Sequence, residues 1–204
     1  MTRFSLAIFD LGNVLYPIGL EQAFAIFSRH SRLPVSRFAD RSILDDVFFR
    51  YERGQISSRE YHVHFNQIMG TSLTYEQFVE GWNGIFTSTP FPEVVAAVKR
   101  LADDLKVVAL TNTNPLHSEI WPGLYADDLR HFHSIFASDV LGLSKPDPRI
   151  YKLVLDACEA TAEETIYFDD ISDFVKAAAG LGLHAVQVNR PSDVTDELRR
   201  LGLL

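Results

Sequence analysis

The chain has a single cysteine, Cys158, so it cannot build an internal disulfide. That excludes the small disulfide-stapled class and suits a reducing compartment, and a cytoplasmic location is the expectation. Long apolar runs are missing too: no stretch approaches the roughly 18 residues that read as a membrane helix. The opening MTRFSLAIFD does not read as a secretory signal, because Asp10 cuts the apolar run short. Positive charge is in deficit. Nineteen Lys and Arg face 27 Asp and Glu, for a net charge of −8, which argues against nucleic acid or an anionic membrane as the main partner. Repeats and low-complexity segments are absent. What remains is an ordinary globular composition, 47% hydrophobic and 23% charged, at a length that suits one large domain or a domain with an insert.

The apolar pattern changes twice along the chain. SLAIF (5–9) is a short continuous run, as in a central parallel strand buried on both faces. From about 20 to 86 the spacing is helical, with Phe24 and Phe27, then Leu44, Val47 and Phe48, then Tyr61, Phe65 and Ile68, then Tyr75, Phe78, Val79 and Trp82 each sharing a face. Pro90 and Pro92 close that region. Strands and helices then alternate: a helix near 92–103, KVVAL (106–110), a helix near 125–131, SIFAS (134–138), a helix near 147–158, TIYFDD (165–170), a helix near 172–181, HAVQV (184–188) and a last helix near 192–202. Such alternation predicts parallel βαβ units with right-handed crossovers. The expected architecture is α/β: a Rossmann-like three-layer core formed by 1–15 and 90–204, with a helical cap, 16–89, inserted after the first strand.

In open α/β sheets, ligands bind outside the carboxyl ends of the strands. The polar residues at those ends are Asp10, Thr111-Asn112 and Asp169-Asp170, and Lys145 follows SIFAS just ahead of a helix. Taken singly, Asp10 and Thr111-Asn112 read as turn formers, and Asp170 or Ser172 as a helix cap. Lys145 resists that reading, because a cation ahead of a helix start opposes the helix dipole and needs an anion to face. The pair Asp169-Asp170 at a buried strand end is costly without a neutralising cation. Together these residues suit a metal-assisted phosphate site. Asp10 suits a nucleophile. Mg²⁺ takes one or two carboxylates with phosphate oxygens and water, which Asp10, Asp170 and the Gly12 carbonyl can complete. Thr111, Lys145 and backbone N–H groups suit the phosphoryl oxygens.

The stretches FDLGNVL, LTN, SKPDPRIY and FDD, in this order, resemble the four motifs of the haloacid dehalogenase superfamily, and the helical insert resembles its small C1 cap. The resemblance covers essentially the whole chain. FDLGNV, TNTNPLH, YERGQIS and FDD are similar to bacterial sugar-phosphate phosphatases of the α-glucose-1-phosphate phosphatase kind; the phosphatase domain of mammalian soluble epoxide hydrolase is more distantly similar. The resemblance implies a Mg²⁺-dependent phosphomonoesterase acting through an aspartyl-phosphate on a small phosphorylated metabolite, with sugar phosphates first. It implies Asp10 as nucleophile and metal ligand, Thr111 as phosphoryl-binding and Lys145 as orienting and charge-balancing. Leu11, Gly12, Asn112 and Lys145 would contact substrate. Asp10, Gly12 and Asp170 would hold the metal, with Asp169 and Asp173 behind them. A monomer or weak homodimer is expected.

Two positions depart from that pattern. Gly12 stands where most such phosphatases have an Asp that protonates the leaving group. The position four after Asp170 is Phe174 rather than Asp or Asn, and Asp173 is one residue early. A missing general acid implies a slow enzyme, an acid supplied by the cap or by water, or a good leaving group. Asn13 cannot stand in, because an amide does not titrate. Tyr16, Phe48, Tyr51, Glu52, Arg53 and Trp82 are the candidates for substrate choice, each also readable as helix-bundle core or surface. His117 is readable as a pocket residue or as an ordinary loop histidine, and Cys158 as a core residue. The alternatives are a metal-free dehalogenase with Asp10 attacking carbon, which also tolerates Gly12, and a catalytically weak phospho-ligand-binding module. A response-regulator receiver is disfavoured, since its acidic pair belongs near the first strand.

Overall fold

The computed structural model describes residues 4–39, 43–86 and 89–204. Five strands form one wholly parallel sheet in the order β3-β2-β1-β4-β5. They are β1 (Leu6–Phe9), β2 (Lys106–Thr111), β3 (Ser134–Ala137), β4 (Thr165–Asp169) and β5 (His184–Gln187). The order reverses at β1, whose neighbours β2 and β4 both come from the chain beyond residue 100. Every residue of β1 and β4 is buried, as a central parallel strand requires.

The pleat sends alternate side chains to opposite faces. Ala7, Phe9, Val107, Ala109, Ile166 and Phe168 pack on one face with α5 (Pro92–Leu101) and α12 (Ser192–Arg200). Leu6, Ile8, Val108, Leu110 and Tyr167 pack on the other with α10 (Pro148–Cys158) and α11 (Ser172–Gly180). Cys158 lies in this second layer, so the core reading of that residue is the one observed.

The four helical patterns before residue 86 become α1 (Leu20–Ser31), α2 (Asp46–Glu52), α3 (Ser58–Met69) and α4 (Tyr75–Asn83). They surround a separate aromatic cluster that includes Phe27, Phe38, Tyr61, Phe65, Phe78 and Trp82. Tyr51 and Trp82 belong to this cluster, and Tyr16 is buried in the sheet-side core, stacked on Tyr125. Their packing reading therefore prevails over substrate contact.

The stretch between β2 and β3 differs from expectation. In place of one helix near 125–131 there are three single turns, α6 (Pro115–Ser118), α7 (Trp121–Leu124) and α8 (Ala126–Leu129). The chain turns again after β3 as α9 (Ser138–Leu141), where the sequence pattern reads as strand through Ser138. Four-residue turns carry too few residues to show a helical period.

Candidate active site

β1 delivers Asp10 to the carboxyl edge of the sheet, and the ladder continues one residue past the strand: Asp10 N–H donates to Phe168 O at 2.9 Å. Asp10 is 7% exposed and Lys145 3%. Lys145 Nζ lies 2.9 Å from Asp10 Oδ1 and 2.6 Å from Asp169 Oδ2, and donates to Leu110 O at 3.0 Å. The cation ahead of α10 thus faces two anions, as its position in the sequence requires. The Lys145 main chain is fixed in turn by Asn112, whose amide donates to Lys145 O at 3.0 Å and accepts from Lys145 N–H at 2.9 Å. The Asn112 side chain thus fixes the Lys145 main chain. Thr111 is buried at the end of β2. Leu11 packs in the core, and its carbonyl closes the loop by accepting from Leu15 N–H at 2.8 Å and Tyr16 N–H at 2.9 Å.

The acidic pair divides its work. Asp169 accepts from Lys145, from Tyr167 O–H and, at 2.8 Å, from Ile171 N–H. Asp170 accepts from Asn13 Nδ2 at 3.0 Å. Asn13 sits in the left-handed region, φ 53°, which Asn tolerates, and its Oδ1 accepts from Ile18 N–H at 3.1 Å. The first loop is thereby tied to the end of β4 across 157 positions. Asp173 does not join them. It lies in the first turn of α11 with its side chain 78% exposed, paired with Lys176 at 3.2 Å. Phe174 instead faces the site, its ring 5.2 Å from Lys145 Nζ. Among the functional neighbours, Asn13 lies inside FDLGNVL without an expected role, and Tyr167 is not among the expected site residues. Tyr167 was legible in principle, being two residues before Asp169 on the same face of a strand.

One carboxylate oxygen from each of Asp10, Asp169 and Asp170 falls within 4.8 Å of the others. Three carboxylates here meet one buried ammonium. The consequence is visible in the proton affinities. Burial, opposed by Lys145 and reinforced by Asp169 and Asp170, pushes Asp10 up to about 7. Burial also raises Asp170, against its Asn13 hydrogen bond. For Lys145, burial favours the neutral amine, but Asp10 and Asp169 outweigh it and hold the ammonium well above its ordinary range. The surplus of negative charge and the all-oxygen donor set fit a hard divalent cation such as Mg²⁺.

A Cβ on Gly12 would lie 4.0 Å from Asp10 Oδ2 and only 3.1 Å from Ile18 Cγ1. A side chain at this position would therefore flank the Asp10 carboxylate, and Ile18 fills the space it would use. A cavity of about 480 Å³ opens beside Lys145, walled by Phe49, Arg53 and Gln55 on one side and by Ser144, Pro146 and Arg149 on the other. His117 turns away from chemistry. Its Nε2–H donates to Trp82 O at 3.0 Å, its Nδ1 accepts from Asn114, and burial pushes it down to about 4.

The sequence matches the family model for haloacid dehalogenase-like hydrolases over residues 4–182. It is 27% identical over 205 residues to mouse acyl-CoA dehydrogenase family member 10, aligning over 95% of this chain but spanning 19% of that protein's length. It is 25% identical over 202 residues to D-ribitol-5-phosphate phosphatase of Bacteroides thetaiotaomicron, covering 94% of this chain and 95% of that one. Among solved structures, a magnesium complex of a HAD family enzyme from B. thetaiotaomicron superposes with a TM-score of 0.81 at 23% identity, over 96% of this chain and 98% of that chain. A family match over most of the length, on a sheet whose carboxyl edge carries the expected acids and lysine, makes this chain a hydrolase of the haloacid dehalogenase-like family.

Proposed function

We infer that the chain is a Mg²⁺-dependent phosphatase for a small phosphorylated metabolite, with a sugar or polyol phosphate first in line. The observation that carries this reading is the charge count at the sheet edge: three clustered carboxylates against one buried lysine. A dehalogenase working without metal would have to keep that surplus charge buried and unmatched, which is strongly unfavourable. Kinship with a ribitol-phosphate phosphatase over nearly the full length of both chains supports the phosphate ester class.

In this reading Asp10, Asp170 and the Gly12 carbonyl hold Mg²⁺, with Asp169 behind them. The bound ion supplies charge neutralisation of the phosphoryl oxygens and of the carboxylates around them. Lys145 favours the ionised form of Asp10 and aims it by their 2.9 Å contact. The freed Asp10 oxygen attacks phosphorus, and the Thr111 hydroxyl with the Leu11 and Gly12 N–H groups binds the phosphoryl oxygens. Asn112 holds Lys145 in place through its backbone. Segment 16–89 acts as the cap, and its α2 end walls the cavity beside Lys145.

Phosphate release from a panel of sugar, polyol and acyl phosphates tests the reading. The expected result is release that needs Mg²⁺, stops with chelator and is lost in Asp10→Asn. Release that persists in chelator, or halide release from a 2-haloacid with none from any phosphate, overturns it.

A further inference from the structure

The phosphatase reading leaves one chemical role without a residue. An alkoxide leaving group needs a proton, and the later water needs a base, yet Gly12 offers neither. We propose that Glu52, at the end of α2, is the general acid and base of this site. The inference rests on the phosphatase reading and adds a residue to it.

The geometry that carries it is the way Glu52 is held. Tyr51, next to it, is fully buried in the aromatic cluster. The Glu52 carbonyl accepts from Ser138 Oγ at 2.7 Å. Ser138 is the residue after β3 and its hydroxyl also accepts from Thr113 N–H at 2.9 Å, just past the end of β2. Two residues on, Gly54 has φ 63° and lies so close to Asp139 that a Cβ would run into the Asp139 carbonyl oxygen. Residues 52–54 are thus held against the segment just past β3 by two contacts, while Tyr51 anchors them in the insert's own core. Although α2 is remote in sequence, its last residue is fixed at the carboxyl edge of the sheet, beside the ends of β3 and β2.

The carboxyl group itself is unspent. Among the described residues no hydrogen bond or ion pair engages it; its charged surroundings are Lys145 and Arg53, which favour the anion, and Asp10, which favours the acid. Burial outweighs these and raises Glu52 to about 7, where one group can both give and take a proton near neutrality. The other titratable groups near Asp10 are occupied: Asp169 by three donors, Asp170 by Asn13, and His117 through both ring nitrogens.

The placement also suits the stereochemistry of in-line transfer. Asp10 attacks from the sheet edge, so the leaving oxygen departs on the opposite side, toward the helical insert. In the first step the Asp10–phosphorus bond forms, the phosphorus–oxygen ester bond breaks, and the Glu52 proton passes to the leaving oxygen. In the second, water enters from the vacated side and gives a proton to the Glu52 carboxylate. The water oxygen bonds to phosphorus, and the bond between phosphorus and the Asp10 oxygen breaks to return the Asp10 carboxylate and inorganic phosphate.

Glu52→Gln is the test, because it keeps shape while removing the proton. With a sugar phosphate, kcat/KM should fall by about 10²- to 10⁴-fold. With acetyl phosphate, whose leaving group needs no proton, kcat/KM should stay within about threefold, while kcat falls and phosphoenzyme accumulates. Glu52→Asp should show an intermediate loss on the sugar phosphate. An equal fall in kcat/KM on both substrates, or no fall on the sugar phosphate, overturns the proposal while leaving the phosphatase reading intact. No turnover of any phosphate by the wild-type chain overturns the reading on which it rests.

Discussion

Lys145 is the residue on which the site's charge balance turns. Its ammonium touches Asp10 at 2.9 Å and Asp169 at 2.6 Å with both partners buried. Replacing it with Met leaves two buried carboxylates facing each other without a counter-charge, a change that costs about 3–5 kcal/mol in comparable buried pairs. Urea unfolding of Lys145→Met in chelator should show a loss of that order; an unchanged midpoint would mean that the pair is not buried in solution. Glu52 gives a pH signature. Burial raises it to about 7 from an ordinary glutamate value near 4.3. Between those pH values the folded chain keeps a proton that the unfolded chain releases. Its contribution to stability therefore falls as pH rises from about 4 to about 7 and is flat above. Glu52→Gln should flatten that part of a stability-versus-pH curve measured in chelator, and it should be the more stable form at pH 8. Asp10, raised by burial and its acidic neighbours, slopes in the same direction, so the slope left in Glu52→Gln should shrink further in the double variant with Asp10→Asn.

At the level of elements, three of the insert's helices, α2, α3 and α4, start at a side-chain cap, whereas α1 starts at Gly19 without one. Ser57 and Glu60 form a reciprocal capping box at α3, and Thr74 and Gln77 form another at α4. Ser57→Ala should lower stability by about 1 kcal/mol, readable by thermal unfolding, with little change in turnover. Gly54→Ala is different in kind. It meets both a left-handed backbone and the Asp139 carbonyl, so it should displace the Glu52 segment and lower activity more than its loss of stability explains. The strands were readable because SLAIF, KVVAL and TIYFDD are short apolar runs ending in polar residues, and the helical insert was readable from its spacing of aromatics. The polar strand ends gave Asp10, Thr111, Asp169 and Asp170 for the same reason. Asn13 and Asn112 were legible as turn and motif residues, Asn112 also as a substrate contact, but not as structural ties, since their partners lie 157 and 33 positions away. Asp173 was misplaced because helix phase, not sequence proximity, decides which side chain faces Lys145, and that phase presents Phe174.

For the whole molecule, the sheet is sealed on both faces, and its insert is packed around a third cluster of its own. The two parts are latched where Trp82 donates to Asn114 Oδ1 at 3.3 Å and His117 donates to Trp82 O at 3.0 Å. Among the described residues no helix is long and apolar enough to cross a membrane. Binding of a divalent ion to the folded chain alone stabilises the molecule by mass action, by about 2.7 kcal/mol at a hundredfold excess over Kd. Mg²⁺ should raise the thermal midpoint of the wild-type chain. Asp170→Asn should lose most of that rise, and a rise of equal size in the variant would place the ion elsewhere.

The central claim is that Asp10 carries the phosphoryl group between substrate and water. Acid quenching of the Mg²⁺-loaded chain during turnover of its best phosphate ester, followed by peptide mass analysis, examines that step itself. The account predicts one phosphoryl group on the peptide containing Asp10 and none in the Asp10→Asn chain. Turnover that proceeds with the phosphoryl group on another residue would contradict it.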